Sequence, residues 1–220
     1  MSVADRLVEL RGRIATAGGE PGRISICAVT KGHDVAAVEE ACACGLVDVG
    51  ENYSQEMLAK VQALAATAAE PRWHFIGRLQ RNKVKALAPF VSLWQSVDRP
   101  ELGAAIARHA PGAAVLVQVA VSDDVGKGGC PESEVPRLVD ALMTDGLDVR
   151  GLMTVGPTDP LVDPRPGFDA VRLLADTLSL AEVSMGMSRD LEAAVAAGAT
   201  IVRPGTALFG ERPRTHRSGQ

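Results

Sequence analysis

Short, largely β-branched apolar runs alternate along this chain with longer segments whose apolar residues recur at helical spacing. Val3, Leu7, Leu10 and Ile14 mark a leading helix over about residues 2–17, stopped by Gly18-Gly19. The run Ile-Ser-Ile-Cys-Ala-Val-Thr-Lys over 24–31 reads as the first strand, bounded by Pro21-Gly22 and Gly32. A helix over 35–44 follows, with Asp34 as its N-cap and Gly45 as its stop. The same alternation then continues, with strands over 46–49, 73–76, 91–96, 114–120, 148–153, 180–183 and 200–203. Helices fall between them over 53–69, 82–88, 100–109, 132–144, 168–178 and 189–197. Eight strands alternating with helices predict an α/β fold, a single (β/α)8 TIM-type barrel with an extra N-terminal helix. A doubly wound open sheet shares the alternation, but the strand count favours the barrel. The barrel domain is expected over 1–211, and 212–220, polar and without apolar period, as a flexible C-terminal tail.

Composition narrows the function classes. With 3% aromatic residues and a net charge of -4, the chain offers neither a base-stacking surface nor a phosphate-backbone footprint, so nucleic acid is not an expected partner. No apolar stretch is long enough to cross a bilayer and the first residues lack a signal-peptide core, which makes the cytoplasm the expected location. Cys27, Cys42, Cys44 and Cys130 match no zinc-site or disulfide spacing and read as reduced structural thiols. No metal is expected.

In a parallel barrel the chemistry gathers in the loops after the strands. The first strand ends on Lys31, which shares a face with Ser25, Cys27 and Val29, while Ile24, Ile26 and Ala28 point the other way. If the second set packs under helices, Lys31 enters the barrel mouth, where desolvation favours the free amine that attacks an aldehyde. The second strand is followed by Gly50-Glu51-Asn52-Tyr53 and the third by the basic turn Gly77-Arg78. Ser184 to Ser188 follow the seventh strand, and Arg203-Pro204-Gly205-Thr206 close the eighth. Small hydroxyl and glycine residues there suit a phosphate, although Asp190 and Glu192 in the next helix must then point away. An imine-forming amine opposite a phosphate grip suits a phosphorylated aldehyde. Gly126-Lys127-Gly128-Gly129 lacks the spacing of a P-loop and reads as a mobile loop. His33 reads as an exposed loop histidine.

The segments Ala28-Val29-Thr30-Lys31, Gly50-Glu51-Asn52-Tyr53, His74-Phe75-Ile76-Gly77, Gly151-Leu152-Met153, Ser184-Met185-Gly186-Met187-Ser188 and the run from Arg203 to Gly210 occur in one order. Together they resemble the pyridoxal-phosphate homeostasis protein family, YggS-like barrels similar to the N-terminal domain of alanine racemase. The resemblance implies that pyridoxal 5'-phosphate (PLP) is the cofactor, carried by Lys31 as an internal aldimine. Asn52 and Met153 would lie near the ring, Arg203 would face the pyridine nitrogen, and Ser184, Ser188, Gly205 and Thr206 would hold the phosphate. Departures from the family pattern fall at Gly32-His33-Asp34, Ser54 and Pro204, and leave these residues intact.

A guanidinium at the ring nitrogen weakens the ring as an electron sink. The single tyrosine, Tyr53, reads as a packing or rim residue, and no second domain is apparent to supply another. The expected role is therefore vitamin B6 homeostasis, holding, buffering and delivering PLP without robust turnover, with no catalytic residue assigned. A weakly active amino-acid racemase is the alternative, and a Schiff-base aldolase acting on a phosphosugar the third reading. Amino acids and PLP-dependent apoenzymes are the expected partners, and the protein is expected to be a monomer.

Overall fold

A computed structural model of the chain describes residues 1–122, 124 and 126–211; the tail expected over 212–220 lies outside them. The first helix, α1 (Val3–Thr16), begins in a capping box: Ser2 Oγ accepts from the Asp5 amide at 3.2 Å, and Asp5 accepts in return from the Ser2 amide at 3.0 Å. Its buried face is the predicted set Val3, Leu7, Leu10 and Ile14. The first strand is broken into β1 (Ser25–Ile26) and β2 (Ala28–Val29). Next come α2 (Val35–Ala43), β3 (Asp48–Glu51), α3 (Ser54–Leu64), β4 (Arg72–Phe75), α4 (Arg81–Leu87), β5 (Val91–Val97), α5 (Pro100–His109) and β6 (Ala114–Val119). A 3-10 turn (Glu132–Glu134) precedes α6 (Val135–Thr144), and β7 (Asp148–Thr154), α7 (Arg165–Thr177), β8 (Glu182–Ser184), α8 (Leu191–Ala196), β9 (Ile201–Val202) and α9 (Thr206–Phe209) complete the order.

Every strand pairing is parallel, and the order β1-β9-β8-β7-β6-β5-β4-β3-β2 returns to the broken first strand at both ends. β1 pairs with β9 and β2 with β3, so one stretch of chain closes the ring. The predicted (β/α)8 barrel is the fold, and the ninth strand is the break at Cys27.

The two-residue side-chain period sorts the strands into two apolar compartments. Ile26, Ala28, Val49, Phe75, Trp94, Val117, Val183 and Val202 face outward and pack under the helices. Cys27, Leu93, Ala114, Leu116, Met153 and Ile201 form a small cluster inside the barrel. Filling the lower barrel with side chains makes it a packed core rather than a pore. Polar residues on the inward face therefore gather above and beside this plug.

Several boundaries differ from the sequence reading: α3 ends at Leu64 rather than near 69, and β8 runs Glu182–Ser184 rather than 180–183. β3 extends through Gly50 and Glu51, expected in the following loop, because both pair with β4. α7 starts at Arg165 rather than near 168, since proline is tolerated in a first turn, where its missing N–H is not needed. α9, four residues long, is too short to show a period. Among the described residues no helix is long and apolar enough to cross a membrane.

Candidate functional site

Lys31, just past the end of β2, is half-buried. It lines a cavity of about 1030 Å³ whose wall also includes Asn52, Ser188, Arg203, Gly205 and Thr206. These residues follow β3, β8 and β9, so the cavity lies at the carboxyl ends of the strands, where this fold builds sites.

The main chain on either side of Lys31 is pinned by a buried ionic cluster. Lys60 Nζ, on α3, donates to the Thr30 carbonyl at 2.7 Å, to Glu51 Oε1 at 2.6 Å and to Glu56 Oε1 at 2.8 Å. The Thr30 hydroxyl donates to the same Glu51 oxygen at 2.6 Å, and the Gly32 amide donates to Glu56 at 2.5 Å. Burial pushes the Glu51 carboxyl above its ordinary value despite Lys60 and Thr30. Lys60 was not picked out from the sequence, and Glu51, expected in the loop after the second strand, is instead wholly buried in this cluster.

Across the cavity, Gly186 adopts a positive φ of 89°, and a Cβ there would come within 2.5 Å of the Ala194 Cβ. That turn sets Met187 and Ser188 on the wall. The Ser188 hydroxyl accepts from the Ala207 amide at 3.0 Å, tying the loop after β8 to α9. The two acidic residues that threatened an anion site stand on the same cavity wall rather than pointing away, but each carries a partner. Asp190 accepts from the Met187 amide at 2.5 Å, and Glu192 pairs with Arg13 of α1 at 2.6 Å.

Arg203 is 3% exposed, and its guanidinium donates to Ser184 Oγ and to the Thr154 carbonyl, each at 2.6 Å. Burial lowers its pKa to about 10, which still leaves it charged at neutral pH. Asn52 sits under Gly77, where an added Cβ would lie 2.1 Å from the Asn52 carbonyl oxygen. The Asn52 Oδ1 is buried without a hydrogen-bond partner among the described residues.

Two residues assigned to the cofactor from sequence do not reach the wall. Ser184 is fully buried one hydrogen bond behind Arg203, and Met153 is part of the plug inside the barrel. Two others join the wall unexpectedly. His33 is half-buried rather than exposed, its ring 5.3 Å from that of Phe209 on the helix the sequence did not reveal. Lys127 also lines the cavity, and what read as a mobile loop is tied down there. Its ammonium donates to Asp124 and the Gly156 carbonyl, its carbonyl accepts from Gln118 at 2.9 Å, and the ammonium holds the Asp124 carboxyl well below the usual range. Tyr53 caps α3, is 63% exposed and is not on the wall.

The sequence model of the family described as alanine racemase, N-terminal domain, matches residues 11–213. A pyridoxal phosphate homeostasis protein of Pseudomonas aeruginosa is 40% identical over 223 residues, covering 96% of each chain. The chain belongs to the pyridoxal phosphate homeostasis protein family. The Escherichia coli K12 member of this family is 34% identical, with 96% of this chain and 97% of that one covered. PipY of Synechococcus elongatus PCC7942, solved with PLP bound, superposes with a TM-score of 0.81 at 32% identity, over 95% of this chain and all of PipY. In this pyridoxal phosphate homeostasis family member, the barrel thus has counterparts of nearly equal chain length.

Proposed function

We propose that this protein binds PLP in the barrel mouth and serves PLP homeostasis by holding, buffering and releasing the cofactor, without robust turnover of an amino acid. The observation that carries this reading is one cavity wall that joins Lys31, Asn52, Arg203, Ser188, Gly205 and Thr206. The donor set fits the group: a primary amine for an aldehyde, hydroxyls and small-residue backbone for a phosphate, and a buried cation for a ring nitrogen. Asn52 Oδ1, buried and unpartnered among the described residues, marks a polar position that a ligand donor would complete. Bound PLP supplies an aldehyde that condenses reversibly with amines.

Lys31 would hold the aldehyde carbon, and the pinned peptide around it keeps the amine at one depth in the mouth. Ser188, Gly205 and Thr206 would hold the phosphate. Arg203 would stand at the ring nitrogen as a permanent cation that keeps a proton off it and so blunts electron withdrawal. Ser184 and Met153 support this floor from beneath. Tyr53 stands off the wall, where it reaches no reacting atom. Release then means exchange of Lys31 for an incoming amine, from an amino acid or an apoenzyme lysine.

The test is the visible spectrum of the purified protein with PLP, followed by borohydride reduction and peptide mapping. Label is expected on Lys31, with none in Lys31→Ala. Label confined to other lysines would overturn the assignment. An α-proton exchange assay over a panel of amino acids is expected to give no enzyme-like rate; robust exchange abolished by Lys31→Ala would make the protein a racemase-like enzyme instead.

A further inference from the structure

Behind Arg203 a line of buried polar side chains crosses the barrel on the inward faces of four further strands. Ser184 on β8 accepts from Arg203 and donates to Gln95 Oε1 on β5 at 2.6 Å. Gln95 Nε2 lies 2.9 Å from His74 Nδ1 on β4, and His74 Nε2 lies 3.3 Å from Asp48 Oδ1 at the start of β3. Asp48 is held in turn by Arg72 through two bonds of 2.8 and 2.9 Å. Gln95 and Ser184 are wholly buried, and His74 is 6% exposed.

Three features make this line more than a set of satisfied core residues. A buried guanidinium normally takes a carboxylate partner, yet the two acceptors on Arg203 are a hydroxyl and a carbonyl. The nearest carboxylate along the line is Asp48, three side chains away. Asp190, on the same cavity wall, acts on the guanidinium through space, so the arrangement fixes Arg203 with no carboxylate hydrogen-bonded to it. The chain also survives a change of state at His74. With a neutral ring, Gln95 donates to Nδ1 and accepts from Ser184; with a charged ring the amide turns over, accepts from Nδ1–H and donates to the second lone pair of Ser184 Oγ, whose own hydrogen then gives up Gln95 while the bond from Arg203 is kept.

We propose that Gln95 is a positioning residue for Arg203, acting through Ser184 and anchored by His74 and Asp48, so that a full positive charge is held rigidly at the cavity floor. Its consequence for PLP rests on the function proposed above. Its effect on Arg203 does not.

The first test uses ligand-free protein. Nitrogen-15 spectra of the arginine side chains are expected to show separate, slowly exchanging Nη signals for Arg203, assigned by their loss in Arg203→Met. Gln95→Met, which keeps the volume but breaks the line, is expected to collapse them, as is Ser184→Ala. Gln95→Glu, which accepts from both Ser184 and a protonated His74, is expected to restore them. Unchanged Arg203 signals in Gln95→Met would overturn the proposal, and thermal melts identify any variant that fails to fold, Ser184→Ala then carrying the test.

The second test is a double-mutant cycle on PLP binding. Gln95→Met is expected to weaken PLP about tenfold, the scale of one hydrogen bond to a charged group, and to shift the visible band of the bound cofactor. In the Arg203→Met background the same change is expected to cost less than about twofold. Equal losses in both backgrounds would sink the relay. Failure of the unmodified protein to bind PLP would instead sink the cofactor reading and leave the spectra of the ligand-free protein to decide.

Discussion

Lys31 and Arg203 are two basic side chains on one cavity wall, and the protein grips the main chain around the first and the head group of the second. Around Lys31 the main chain is gripped on both sides: Lys60 takes the carbonyl before it, and Glu56 the amide after it. At Arg203 the grip is on the head group, with Ser184 and Thr154 on two guanidinium nitrogens and Gln95 behind. A side chain that must make and break a bond gains from a fixed root, which sets the depth at which the bond forms. A side chain whose charge must stay in one place is best fixed at its tip. The two halves of the mouth thus separate exchange from orientation.

The largest expected effect comes from removing the root grip. Lys60→Met leaves Glu51, fully buried, and Glu56 without their common cation, and leaves the Thr30 carbonyl with the His33 amide as its remaining donor. Breaking a buried ion pair from one side costs about 3–5 kcal/mol, because the partner's charge stays buried. Denaturant unfolding is expected to show a loss of this size. Replacing Lys60, Glu51 and Glu56 together by apolar residues is expected to recover most of the stability but not the placement of Lys31, so its PLP exchange is expected to remain slower or weaker than in the parent. Recovery of both would mean that the cluster serves packing alone.

A smaller effect is expected where the halves meet. Gly77→Ala puts a methyl group into the Asn52 backbone, at an undisturbed distance of 2.1 Å from its carbonyl oxygen, so the turn after β3 must shift. Such overpacking costs about 1–3 kcal/mol. PLP affinity is expected to fall further than stability alone explains, since Asn52 is displaced while Lys31 and Arg203 keep their supports. Parallel measurement of the melting temperature and the PLP dissociation constant checks this; an unchanged dissociation constant would remove Asn52 from the site.

The same contrast explains what could be read without coordinates. Lys31, Asn52, Arg203 and Gly205 were legible because a parallel barrel sends the end of every strand to one mouth, whatever the detailed packing. The supports were not. Lys60 looks like any helix-surface lysine, and only contact with β2 and β3 reveals that it is 5% exposed. Gln95 and His74 did leave a trace: each is a polar residue on the inward face of an apolar strand, two positions after Leu93 in one case and between Trp73 and Phe75 in the other. The period says that such residues face the interior, but not that they face one another. Lys127 and His33 were missed for a different reason, since their loops have no period and their positions depend on Gln118 at the end of the preceding strand and on Gly156 and Phe209, both remote in sequence.

The last effect, read from the slope of stability against pH rather than from its level, sharpens the contrast. Burial works against a charged His74, but the neighbouring Cys27 sulfur and Asp48 carboxylate outweigh it and raise its pKa to about 10. A histidine whose folded pKa lies above its ordinary value of about 6.5 binds its proton more tightly when folded. Its stabilisation is therefore complete below about pH 6.5 and is lost as pH rises toward about 10. Unfolding free energies of the parent are expected to decline across that window, and His74→Gln, which removes the titrating ring, is expected to flatten this part of the profile. Lys60→Met, acting on the other half of the mouth, is expected to lower the whole curve while keeping its alkaline slope. If both variants flatten the same window, the decline does not arise at His74 and the two supports are not separable.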